Sequence, residues 1–139
     1  MRALLAIGAA CLALAAFLPA STPEVTVHAM CDGGHLGDHS VTPDSVDVKV
    51  GEDVDWELDD ASTATEMTIE PKHPGHWPYA NDEHFKGGKG KGHKAKANGS
   101  KMFKTAKGAY PYNISLSCPD GKGGSTTVTI DPSIIIHAE

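Results

Sequence analysis

Two sets of residues have the types and spacing for metal chemistry. Cys31-x3-His35-x3-His39 together with Cys118 would supply two thiolates and two imidazoles, the donor set of a tetrahedral zinc site. His73-x2-His76 with His84 would supply imidazoles alone. Against the first set stand Gly33, Gly34 and Gly37, which give it a loose frame, and the option its cysteines have of pairing with each other. Against the second, histidines in a segment rich in Pro and Trp serve packing or the surface more often than coordination. Metal at either set, copper or zinc, is therefore the alternative reading, and no resident cofactor is predicted. The acids Asp53, Asp55, Glu57, Asp59 and Asp60 look like candidates for acid–base work, but strand alternation puts the first three on one solvated face, where they serve solubility and edge protection. Ser and His occur without a Gly-x-Ser-x-Gly elbow or a comparable motif, so no enzyme is predicted. Lys86, Lys89, Lys91, Lys94 and Lys96 could contact an anionic partner. Spread among glycines, with no arginine and with Phe85 and Phe103 only at the ends, they lack the stacking planes and bidentate forks of a specific nucleic-acid site.

Those lysines belong to a wider asymmetry. From Glu24 to Glu83 there are fifteen acidic residues and only Lys49 and Lys72, whereas His84 to Lys107 holds eight lysines and no acid, so an acidic body carries a basic segment. The partner class this leaves is an unidentified protein, a polysaccharide or another anionic cell-surface component. Met1 to Ala20 has Arg2, a charge-free apolar run from Ala3 to Leu18, and small or turn-prone residues after it, the make-up of a secretory signal peptide. Its apolar run falls short of the roughly 20 residues a spanning helix needs, so no membrane span is expected once it is removed. Residues 21–139 then form one secreted or periplasmic domain, able to bury roughly two thirds of its unfolded surface around a single core. An oxidising compartment makes a Cys31–Cys118 disulfide the default for the two remaining cysteines.

The elements that must position these residues are strands. Val46 to Leu58 reads V-D-V-K-V-G-E-D-V-D-W-E-L, two alternating runs about a tight turn at Gly51, each apolar on one face and charged on the other. Neither face can be buried alone, so the rest of the chain must supply the opposite wall. Glu24 to Met30 alternates with Val25 and Val27 inward, Thr65 to Glu70 with Met67 and Ile69 inward, and Pro71 ends the latter. Ala109 to Cys118 is the longest alternation, with Tyr110, Tyr112, Ile114, Leu116 and Cys118 on one face, and is predicted to be central. Thr127 to Ile130 and Ile134 to Ile136 complete the set, with a short edge strand at Lys101 to Lys107. Cys31 to Pro43 and residues 71–100 show no period and are predicted as loops, the Gly/Lys tract from Gly87 to Lys96 remaining solvated. No helix period survives beyond the leader. The fold class is all-β, a β-sandwich with one long irregular loop.

The motifs Val48-x-Val50-Gly51-x-x-Val54-x-Trp56, Gly108-x-Tyr110-x-Tyr112 and Ile130-Asp131-Pro132 resemble the cupredoxins, the plastocyanin and azurin type of Greek-key sandwich. The resemblance covers nearly all of residues 21–139 outside 71–100. It implies a copper pole, yet the positions that match the family's ligands read Ala64 (or Glu66 with a shift), Ile114, Ser117 and Lys122, none of which binds copper, and Cys118 lies four residues beyond the family's thiolate. It also implies that the ends of the first strand and of the Tyr-Tyr strand share a pole, bringing Cys31 and Cys118 together where copper would sit. The reading is a cupredoxin-like binding or structural module without a type 1 copper site.

Overall fold

The computed structural model describes residues 22–130 and 135–139. The leader assigned to residues 1–20 lies outside them, as do Asp131 and Pro132 of the resemblance. The described chain is mostly β: β1 (Glu24–Asp32), β2 (His35–Thr42), β3 (Ser45–Val48), β4 (Val54–Leu58), β5 (Glu66–Pro71), β6 (Phe85–Gly88), β7 (Ala95–Ala97), β8 (Gly108–Pro119), β9 (Ser125–Ile130) and β10 (Ile135–Ala138), with 3-10 turns η1 (Ala80–Asp82), η2 (Lys91–His93) and η3 (Gly99–Lys101). One sheet has the order β2-β1-β4-β7 and the other β3-β10-β8-β5-β6, with β9 also paired to β8. β1 runs parallel to β4 and β10 parallel to β3, while the other pairs are antiparallel. No described helix is long and apolar enough to cross a membrane.

The central stretch explains the two walls. Gly51 takes φ +93°, a conformation glycine adopts without the steric penalty a Cβ would bring, and the Glu52 N–H donates to the Lys49 carbonyl (2.9 Å) across the turn. The turn sends β3 to one sheet and β4 to the other. Val46 and Val48 are thereby buried on one wall and Val54, Trp56 and Leu58 on its opposite. β8 supplies Tyr112, Ile114, Leu116 and Cys118 to the same core, as its alternation predicts. Trp56 is wholly buried; its indole N–H donates to the Tyr112 hydroxyl (3.1 Å), and its ring stacks on Phe85 at 6.0 Å between centroids. Pro111, which has no N–H to give, lies just past the last β5–β8 pair, Pro71 with Tyr112.

Three expectations fail, each for a physical reason. Cys31 to Pro43 is not a loop: β1 continues to Asp32, Gly33 and Gly34 (φ +55° and +82°) reverse the chain as a two-residue hairpin turn requires, and β2 returns beside β1. β2 is an exposed edge strand, so it needs no hydrophobic alternation to betray it. The segment 71–100 is not one long irregular loop, and its Gly/Lys tract is not merely solvated. β6 extends the larger sheet beside β5, η2 crosses between the sheets, and β7 pairs with β4. The glycines that suggested mobility permit close packing instead: a Cβ on Gly87 would sit 2.5 Å from the Ala95 backbone nitrogen, and one on Gly99 would collide with the backbone of Gly51 and Glu52. Trimming this tract would therefore strip β4 of a hydrogen-bonded neighbour rather than shorten a free loop. Lys101 to Lys107 forms no strand either; Met102 is buried and makes an isolated bridge to Tyr79, and a turn from Phe103 to Ala106 leads on to β8.

Candidate functional site

The pole implied by the resemblance is closed by sulfur. Cys31 at the end of β1 and Cys118 near the end of β8 are joined in a disulfide, with Cα atoms 5.4 Å apart. Its surroundings are tied down by the chain itself. The Cys31 N–H donates to the Thr63 hydroxyl (2.6 Å), and the Gly34 N–H donates to the Pro119 carbonyl (3.0 Å). Gly34 packs so closely on the β8–β9 hairpin that a Cβ there would come within 2.8 Å of Thr126 Oγ1. His35 and His39 project from exposed positions on β2, and the His39 ring N–H donates to the Gly37 carbonyl (2.9 Å). Cys31, His35 and His39 thus lie on the β1–β2 hairpin and the disulfide ties Cys118 of β8 to it, but both sulfurs are spent on each other.

The second histidine set diverges. His76 donates from Nε2 to the Ala109 carbonyl (3.0 Å) and lies over Tyr110, ring centroids 4.8 Å apart, whereas His84 faces the Glu70 carboxylate on β5 at 3.8 Å and His73 is exposed. Among the described residues no group of three or more His, Cys, Asp or Glu is arranged to hold a metal ion.

The lysines divide into two groups. Lys94 is docked on the acidic body, 2.7 Å from Glu24 and 3.8 Å from Glu57, and Lys89 donates to the Ser62 carbonyl (3.2 Å). Lys86, Lys91 and Lys96 stay exposed; Lys86 rims an open groove of about 520 Å³ with Glu66, Thr68, His93 and Lys94 over the Gly87–Gly88 backbone. The acidic row is correspondingly less solvated than alternation implies. β7 covers its flank, Asp53 accepts the Gly99 N–H (2.7 Å), and Glu57 is buried. Burial and the neighbouring Glu24 carboxylate push Glu57 above the usual carboxylate range, while the hydrogen bond from Lys94 holds Glu24 below it.

A His–Asp–Ser constellation that no motif announces lies beside the disulfide. The His28 ring Nδ1 faces both Asp59 carboxylate oxygens (3.1 and 3.0 Å), and the buried Ser62 hydroxyl donates to Asp59 Oδ1 (2.7 Å) while accepting the Ala29 N–H (2.9 Å). Asp59 stands between the other two, so no base takes the serine proton and the arrangement is structural rather than nucleophilic. Only the contact of residues thirty-odd positions apart creates it, so local spacing carries no sign of it. Burial works against the Asp59 charge, but the bonds from Ser62 and His28 prevail and hold its carboxyl below the ordinary value. Stability from a depressed carboxyl is present above its unfolded pKa and is lost as pH falls through the folded one. Ser62→Ala should therefore cost about 1–3 kcal/mol at neutral pH, by stranding the Ala29 N–H, and should raise the pH of acid unfolding; urea and acid titrations followed by circular dichroism read both.

The last feature is aromatic. Trp77, Tyr79 and Phe85 pack on one another and carry residues 77–85 onto the core beside Trp56 and Tyr112. At their outer edge Gly75, Trp77, Tyr79, Asn81, Asp82 and Phe103 line a shallow groove of about 240 Å³, and Ala80, Asn81, Glu83 and Lys101 line an adjoining one of about 450 Å³. Compared with known protein families, curated proteins and solved structures, the chain matches none.

Proposed function

We propose that this chain is a secreted or periplasmic cupredoxin-like domain without a type 1 copper centre, acting as a binding module rather than an enzyme. The observation that carries the reading is the Cys31–Cys118 disulfide, which occupies the pole where the resemblance implies copper. A blue-copper centre needs a thiolate and two imidazoles on one metal. Here both sulfurs are bonded to each other, and Ile114, at the position of the family's thiolate, is buried in the apolar core. The Greek-key part of the reading draws support from the way β3 and β4 pass between sheets and from the parallel pairs β1–β4 and β3–β10. An anionic partner, protein or polysaccharide, suits the exposed Lys86, Lys91 and Lys96 rather than the docked Lys89 and Lys94.

The test is metal retention. Protein loaded with copper(II) or zinc and then passed through a desalting column should keep no stoichiometric metal and show no intense visible charge-transfer band. A chelator-sensitive metal at one per chain, or such a band, would overturn the reading in favour of a metal carrier or electron-transfer protein.

A further inference from the structure

The edges of the two sheets differ in how they are guarded. An unpaired strand edge is a row of free N–H and C=O groups that templates pairing with another chain, and proteins blunt it with charge, proline, bulges, short length or a cover. β2 carries His35, Asp38 and His39, and its register with β1 shifts between Ala29 and Cys31. β3 has four residues and includes Asp47, β7 has three and includes Lys96, and Gly87 of β6 lies against the backbone of residues 93–95. β9 has none of these devices. It reads S-T-T-V-T-I, five of its six residues β-branched, with no charge, Gly or Pro, and its register with β8 runs unbroken from Ile114–Ile130 to Pro119–Ser125. Among the described residues no strand pairs with its other edge.

The direction of its backbone groups follows from β8. Within an antiparallel pair each residue turns its N–H and C=O to the same side, and opposed residues turn theirs either both toward each other or both away. The Ser117 carbonyl accepts the Thr65 N–H (3.0 Å) on the β5 side, so its register partner Thr127 also turns its backbone groups away from β8. Pro119, which has no N–H, stands opposite Ser125 in the same phase. By alternation Ser125, Thr127 and Thr129 present their N–H and C=O to the open edge, while Thr126, Val128 and Ile130 turn theirs to β8. The three outward-bonding residues are exposed. The hairpin that presents them is held firmly: Asp120 Oδ1 accepts the Lys122 and Gly124 N–H groups (2.7 and 3.1 Å), and Cys118, opposite Thr126, is tied to Cys31. An edge ordered in advance is paired at little entropic cost.

The strand is complementary to itself. Antiparallel pairing about a two-fold axis through Val128 sets Val128 against Val128 of a second copy, Thr127 against its Thr129 and Thr126 against its Ile130. The outward-bonding Thr127 and Thr129 then form the hydrogen-bonded pairs, giving about four backbone bonds across the axis. Their side chains meet as Thr–Thr pairs on the outer surface, a favourable cross-strand combination. Val128 and Ile130, opposite the buried Leu116 and Ile114, continue the apolar side. The chain carries a net charge of −6, yet this strand brings no charge against its own image. β9 is the one unguarded edge among the described residues, so the contact closes as a two-fold dimer instead of growing into a filament. We propose that β9 is a homodimerisation edge, joining the larger sheets of two copies into one continuous sheet. The inference goes beyond the binding-module reading and does not rest on the absence of copper.

Sedimentation equilibrium of the folded protein, from about 10 μM to about 1 mM, should show a reversible monomer–dimer equilibrium. Because the bonds join backbones, the dimer should persist at about 0.5 M sodium chloride, where attraction between the acidic body of one copy and the basic segment of another would be screened away. Thr127→Pro removes an N–H that faces the open edge and leaves the β8 ladder whole. It should weaken dimerisation by about tenfold or more while the dilute protein melts close to the parent. Thr127→Lys/Thr129→Lys sets lysines directly opposite each other only across the dimer axis, and should weaken dimerisation likewise without altering the backbone. A parent that stays monomeric at about 1 mM, a dimer that salt dissolves, or a dimer that the folded variants leave intact would overturn the proposal.

Discussion

Trp56→Ala is expected to destabilise the domain by about 3–5 kcal/mol, measured by urea unfolding at neutral pH. Three losses combine. The substitution removes a wholly buried indole, takes away the stacking partner of Phe85 and the edge contact with Tyr112, and leaves the Tyr112 hydroxyl without its indole donor. Because Tyr112 is itself fully buried, that hydroxyl has no route to solvent without local opening. Trp56→Phe should cost less, since it keeps the stack and forfeits chiefly the hydrogen bond. For a domain whose whole margin is about 5–15 kcal/mol, the alanine variant sits near the threshold of folding. A loss under about 1 kcal/mol would mean that the two walls do not meet at Trp56.

Removal of the disulfide is the second large effect. The bond spans 87 residues of sequence, and the chain-entropy model assigns such a cross-link about 4–5 kcal/mol. At about 4–8 °C per kcal/mol for a domain near this size, Cys31→Ala/Cys118→Ala should melt well over ten degrees below the parent, as read by calorimetry. A double variant avoids the stray thiol that either single change would leave. An unchanged melting temperature would show that the pole is held by its backbone ties alone, through Thr63 and Gly34.

Long alternation made much of this fold legible. β1, β4, β5 and β8 each bury every second side chain against a wall, so their apolar residues had to recur with period two, and Val25, Val27, Met67, Ile69, Ile114 and Leu116 are all buried as that period implies. β2, β6 and β7 escaped detection because edge position and short length remove that constraint. β7 has three residues, and β6 includes Gly87 and Gly88, which leave no side-chain pattern, Gly87 because the backbone of residues 93–95 approaches it too closely for a Cβ. The disulfide could be expected because Cys31 and Cys118 are the two cysteines left once residues 1–20 are read as a secretory leader, and because the resemblance implies a shared pole for them.

The candidate sites were less legible, because a site depends on which strands become neighbours. Cys31, His35 and His39 fall on one hairpin, yet the sulfurs pair with each other. His76 and His84 lie near in sequence but point to β8 and β5 respectively. Ser62 and His28 meet only through Asp59, and Phe103 joins Trp77 and Tyr79 only because its N–H bonds back to Pro78. Nothing in local spacing encodes such meetings.

That Cys31 and Cys118 close one end of the domain as a disulfide can be checked by intact-mass and peptide mass spectrometry of the folded protein, alkylated without reduction. Neither Cys31 nor Cys118 should take the label, and a single linked peptide pair should contain both. Two labelled thiols in protein that is nonetheless folded would contradict it, and would return Cys31, His35, His39 and Cys118 to consideration as metal ligands.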